Sequence, residues 1–261
     1  QAKAEVEVAA EARGGTEDAG ADAETAESQI MIKETINKLH SELPATVKLV
    51  AVSKFHPFEA IEEAYQAGQR IFAESRPQEL LAKVKRLEEI RAEKGTPDYM
   101  SDIEWHFIGH LQTNKLKMVL PYVSLVQSVD SLRLLEAIQS WASANGMTID
   151  VLLEPHVAAE ETKQGFARED IMAILSDAAR YANIRFRGIM GMATFTEDED
   201  VIRSDFAQIR DIHNEAVERF PRLAMDFSER SIGMSDDYRI AVEYGSTMVR
   251  IGSMIFGVRQ Y

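Results

Sequence analysis

A chain of 261 residues, 45% hydrophobic and without cysteine, is long enough to bury one large core and excludes disulfides and thiolate metal sites. Its 29 Lys and Arg against 43 Asp and Glu leave a net charge of −14, which argues against any task that requires neutralising nucleic-acid phosphates. No apolar run approaches a membrane span, and the N-terminus lacks the basic-then-apolar pattern of a secretory signal, so the expected setting is the cytoplasm.

Residues 1–29 are rich in Ala, Glu, Gly, Thr and Asp and contain no aromatic residue. Such a segment buries too little apolar surface to offset the entropy of ordering it, and it is predicted to be a disordered acidic tail. The folded domain is expected over 30–261. Ile30, Ile32, Ile36 and Leu39 form a helical stripe that runs to about Leu43, where Pro44 stops it.

From there short apolar segments alternate with helical ones eight times. The predicted strands are 47–53, 70–74, 103–109, 123–128, 149–155, 186–192, 225–228 and 247–252. Most are rich in β-branched or aromatic residues, as strands buried on both faces should be. Helical spacing appears over 58–65, over 132–141 (opened by Asp130 and Ser131 as caps), over 170–181 and over 200–220. Eight such units predict an α/β fold, a single (β/α)8 TIM barrel. An open doubly wound sheet usually carries a Gly-rich loop after its first strand, whereas this one runs into Ser53-Lys54-Phe55-His56-Pro57.

In a barrel, function sits where strands end and βα loops begin. Lys54 is such a residue. It is either a solvated lysine at a strand end or an amine partly desolvated, and so freed as a nucleophile toward an aldehyde. Arg250, in the apolar strand Met248-Val249-Arg250-Ile251-Gly252-Ser253, is costly to bury without a partner. It meets either a ligand or a carboxylate, with Glu74 and Glu154 available at other strand ends. Gly252 and Ser253 open a last helical turn that suits a phosphate, with Ser231 and Ser235 able to add hydroxyls. Ser235 alternatively caps a helix over 236–243. His106 reads as a core histidine and His110, beyond Gly109, as the better site candidate. No His or carboxylate spacing suggests a metal site.

Several stretches together resemble the pyridoxal phosphate homeostasis proteins. They are Leu49-Val50-Ala51-Val52-Ser53-Lys54, the run from Trp105 to Lys115, Gly191-Met192-Ala193-Thr194, Gly233-Met234-Ser235-Asp236-Asp237, and Gly245 to Gly252. The likeness covers nearly everything after residue 30. It implies a fold-type III barrel like the N-terminal domain of alanine racemase, without that enzyme's second β-domain. It implies pyridoxal 5′-phosphate as the cofactor, held as a Schiff base on Lys54. Arg250 would face the ring nitrogen, and Ser231, Ser235, Gly252 and Ser253 would surround the phosphate. Where the family shows Phe-Gly-Glu-Asn, this chain has Phe72-Ala73-Glu74-Ser75, so Ser75 stands in the place of an Asn near the cofactor.

A cationic Arg at the ring nitrogen weakens the ring as an electron sink. A racemase also needs a second base opposite Lys54, and none is evident. The expectation is therefore a monomeric carrier or regulator of the cofactor, with apo-enzymes as recipients. The alternatives are a racemase dependent on the same cofactor, or a cofactor-free barrel enzyme acting on a phosphorylated metabolite.

Overall fold

A computed structural model describes residues 31–157 and 165–257. The acidic segment 1–29 lies outside the described residues. Eight parallel strands close into a barrel in chain order, with β1 (Lys48–Val52) paired to both β2 (Ile71–Glu74) and β8 (Met248–Ile251). Between these run β3 (Glu104–Phe107), β4 (Leu125–Val129), β5 (Ile149–Leu153), β6 (Ile184–Met190) and β7 (Glu229–Ser231).

The helices form the outer layer. Helix α1 (31–42) lies on the barrel through Ile32, Ile36 and Leu39. Their spacing puts them on one helical face, and each such buried aliphatic side chain contributes about 1.5–3 kcal/mol. Next come α2 (Phe58–Gln66), α3 (Pro77–Lys94), α4 (Leu116–Val119), α5 (Leu132–Ala144), α6 (Arg168–Ser176), α7 (Glu199–Arg219), α8 (Tyr238–Glu243) and α9 (Ser253–Phe256). Helix α3 starts with Pro77 in its first turn and stops at Gly95 in the left-handed region, φ 61°. Helix α5 is capped as its sequence suggests, the Ser131 hydroxyl accepting from the Leu134 N–H.

The pleat divides the core in two. Val50, Val52, Ala73, Leu125, Leu152, Met190 and Met248 fill the lumen, while Ala51, Phe72, Trp105, Phe107 and Val126 pack outward against the helices. The same alternation places His106, Gln127, Ser231 and Arg250 in the lumen and Ser53 and Glu74 outside it.

The expected strand at 225–228 is corrected. Strand β7 is Glu229–Ser231, and Met225 is 93% exposed. Glu229 and Arg230, which look like interruptions, belong to the strand. The Glu229 carboxylate pairs with Lys48 and accepts from Thr247 at the N-terminal edge of the lumen, and Arg230 turns outward to Asn214. Strand β6 also begins two residues earlier than expected, at Ile184.

Candidate functional site

Lys54 lies two residues past the end of β1, and continuing the alternation of Val50 and Val52 carries it to the lumen side of the C-terminal mouth. It is half-buried. Gly252 ends the neighbouring strand β8, where a Cβ would come within 3.2 Å of the Val52 carbonyl oxygen. Glycine thus lets the loop after β8 lie close against the strand that carries Lys54.

Arg250 is the fixed charge of the mouth. It is 4% exposed. Nη1 donates to the carbonyl oxygen and the hydroxyl of Ser231 at 2.7 and 2.8 Å, and Nη2 donates to the Gly191 carbonyl oxygen at 2.9 Å. Nε–H and the second Nη2–H have no hydrogen-bond partner among the described residues. Burial lowers the guanidinium to about 10, with Glu154 and Asp237 opposing the shift from a distance, so it stays cationic at neutral pH. Of the two carboxylates available to it as alternatives to a ligand, Glu74 forms no ion pair with Arg250. Glu74 lies on the outer face of the sheet and pairs with Lys83.

Below Arg250 the network continues down the lumen. Ser231 donates to Gln127 Oε1 at 2.6 Å, and Gln127 Nε2 meets His106 Nδ1 at 2.9 Å. Burial lowers His106 to about 3, so the ring is neutral and Nδ1 accepts from the amide. His106 is thus a satisfied core residue, in line with its sequence reading.

The predicted phosphate set divides. Ser253 donates to the Ser235 hydroxyl at 3.2 Å, and both lie with Gly252 at the ends of β7 and β8. Ser231 stands apart. It is fully buried, with its hydroxyl engaged by Arg250 and Gln127, and it therefore braces the guanidinium rather than joining the other three. Ser235 does not cap α8. That helix starts at Tyr238 with Asp237 before it, and Asp237 Oδ1 accepts from the Met234 N–H at 2.6 Å. Ser75 is half-buried at the end of β2. His110 meets Asp130 at 3.2 Å in a cavity of about 800 Å³, bordered also by Gln112, Asn114 and Arg133. That cavity lies over β3, β4 and β5, across the mouth from β8.

Two groups escaped the sequence reading. Gln127 is a lone amide in an apolar strand. Lys83 and Glu79, four apart on α3, look like an exposed helical pair, but Lys83 is buried and Glu79 half-buried behind Lys54.

An amine past the end of β1, a guanidinium with two N–H groups unspent and two facing hydroxyls after β7 and β8 fit a planar, phosphorylated aldehyde. The described residues form one closed barrel, with these groups gathered at the carboxyl ends of its strands. Residues 30–260 match the family described as alanine racemase, N-terminal domain. The pyridoxal phosphate homeostasis protein of Aquifex aeolicus is 36% identical over 82% of this chain and 88% of its own length. The human protein of that name is 35% identical over 88% of this chain and 83% of its own. PipY of Synechococcus elongatus, solved with PLP bound, superposes with a TM-score of 0.76 at 34% identity, covering 87% of this chain and all of that one. The alanine racemase of Clostridium difficile, 12% identical with a TM-score of 0.66 over 56% of its length, shares the fold. The chain belongs to the alanine racemase N-terminal domain family and, within it, to the pyridoxal phosphate homeostasis proteins.

Proposed function

We propose that this chain binds pyridoxal 5′-phosphate at the mouth of its barrel and serves cofactor homeostasis, holding and releasing the molecule rather than turning over amino acids. When bound, the cofactor supplies an aldehyde carbon that an amine can take up and a ring that can withdraw electrons. Lys54 offers the amine. Arg250 faces the ring nitrogen with an unspent N–H, and Ser231 and Gly191 hold the planar guanidinium still. Ser235, Ser253 and the backbone at Gly252 take the phosphate, and Ser75 takes the place of the family's Asn. The binding unit is residues 30–261.

The observation that carries the homeostasis reading is Arg250, locked by three hydrogen bonds and still cationic at neutral pH. A fixed cation beside a ring nitrogen disfavours its protonation, and an unprotonated ring is a weak electron sink. Apo-enzymes that use the same cofactor are the recipients in this reading. A monomeric state and a cytoplasmic setting go with it.

The test is a comparison on one preparation. Loaded protein is mixed with an apo-enzyme and the recovery of that enzyme's activity is timed. In parallel, a panel of amino acids is followed for exchange of the Cα hydrogen with solvent deuterium. Transfer with negligible exchange supports the proposal. Robust exchange with racemisation sinks it and makes the chain a racemase.

A further inference from the structure

The turn that carries Lys54 is held from behind by a buried ionic cluster. Phe55 has φ 68°, in the left-handed region that a residue with a Cβ seldom adopts. Its N–H donates to Glu79 Oε1, from the first turn of α3. One helical turn on, the ammonium of Lys83 donates to the Ser53 carbonyl oxygen at 2.7 Å, to Glu74 Oε1 at 2.6 Å and to Glu79 Oε1 at 3.0 Å. That gives each of its three protons an acceptor. The Ser53 hydroxyl adds a bond to Glu74 Oε1 at 2.5 Å.

The consequence is specific to one residue. The peptide unit entering Lys54 is tied through its carbonyl to Lys83, and the unit leaving it is tied through its N–H to Glu79. Both flanking planes are fixed, so the direction of the Lys54 Cα–Cβ bond is fixed as well. Lys83 is only 6% exposed and Glu74 fully buried. Burying such charges is costly, and an apolar replacement of similar volume often serves stability equally well.

We infer that Glu79 and Lys83 are positioning residues for Lys54. They hold the left-handed turn that directs its amine into the mouth and so make it react ahead of the surface lysines. The inference rests on Lys54 being the residue that takes the aldehyde, and the test separates the two claims.

Full-length protein is mixed with pyridoxal phosphate, reduced with borohydride and mapped by peptide mass, and the rate of labelling at Lys54 is followed by rapid quench. If wild type is not labelled at Lys54, the functional reading has failed, and this inference falls with it. If it is labelled there, Glu79→Ala is expected to lower the Lys54 rate at least about 10-fold and spread the label over other lysines. Glu79→Gln, which keeps an acceptor oxygen, should recover most of the rate. Phe55→Gly in the Glu79→Ala background should recover part of it, because glycine adopts a positive φ without strain. A general loss of structure would not be rescued in this pattern. Labelling of Lys54 in Glu79→Ala at the wild-type rate overturns the inference. Should Glu79→Ala not fold, hydrogen exchange of the Phe55 amide in wild type decides. Protection of at least about 100-fold supports the anchored turn, and exchange at the open-chain rate overturns it.

Discussion

Arg250 and Ser231 are joined twice. One guanidinium nitrogen donates to both the carbonyl and the hydroxyl oxygen of the serine, in the lumen of a barrel whose interior is otherwise largely apolar. The serine passes the order on to Gln127, and Gln127 to His106. Ser231→Ala removes an acceptor from the guanidinium and a donor from the amide. It is expected to cost about 1–3 kcal/mol of stability, because a buried polar group is left unsatisfied. Urea denaturation at pH 7.5 measures this, and pyridoxal phosphate affinity should fall as the guanidinium loosens. A variant as stable and as tightly binding as wild type would show that the serine does not brace Arg250.

Gly109 is required by space. A Cβ there would stand 2.0 Å from the Ser75 carbonyl oxygen, and backbone cannot move aside cheaply. Gly109→Ala is expected to lower stability by about 3 kcal/mol or more, through forced separation of the ends of β2 and β3. Thermal unfolding checks it.

Ser75 offers the opposite kind of test. It stands where the family resemblance implies an Asn, at the end of β2 on the lumen side. Ser75→Asn is expected to slow release of pyridoxal phosphate and tighten its binding by roughly 10-fold, the worth of one additional hydrogen bond. An absorbance titration reads the change, and an unaltered affinity would remove Ser75 from the site.

Stability should depend on pH through two buried histidines. Burial lowers His106 to about 3 and His213 to about 4, so both are neutral when folded. The unfolded chain protonates them near 6.5, so it binds more protons below that pH and stability declines as pH falls from 6.5 toward 4. At pH 5 each should account for a loss of about 2 kcal/mol. Glu74 runs the other way, since burial holds its carboxyl above the ordinary value and its contribution fades as pH rises. Comparing His213→Leu with wild type at pH 7.5 and pH 5 isolates one histidine. The variant should lose about 2 kcal/mol less between the two pH values. Equal losses would contradict the assignment.

The barrel was legible because strands buried on both faces are largely apolar, and seven of the eight announced themselves that way. The seventh did not, because Glu229 sits at the edge of the lumen, where it pairs with Lys48, and Arg230 turns outward to Asn214. Position placed Lys54 at the barrel mouth and the cost of burial marked Arg250 as needing a partner, while the roles proposed for both came from the family resemblance. The partner of Arg250 was not legible. Strand alternation separates residues into two faces without saying which faces inward when both are buried, and Glu74 proved to lie on the outer one. Lys83 was hidden for a related reason. A Glu and a Lys four apart on a helix usually mark a solvated face, and only the closed barrel shows that this pair lies beneath the turn at Lys54.

The measurement that tests the central claim most directly is the absorption spectrum of the purified protein with pyridoxal phosphate, followed by borohydride reduction and peptide mapping. The account predicts a visible band that reduction abolishes, with the reduced adduct on Lys54 and loss of the band in Lys54→Ala. A colourless protein, or an adduct scattered over surface lysines, would contradict it and leave a cofactor-free barrel.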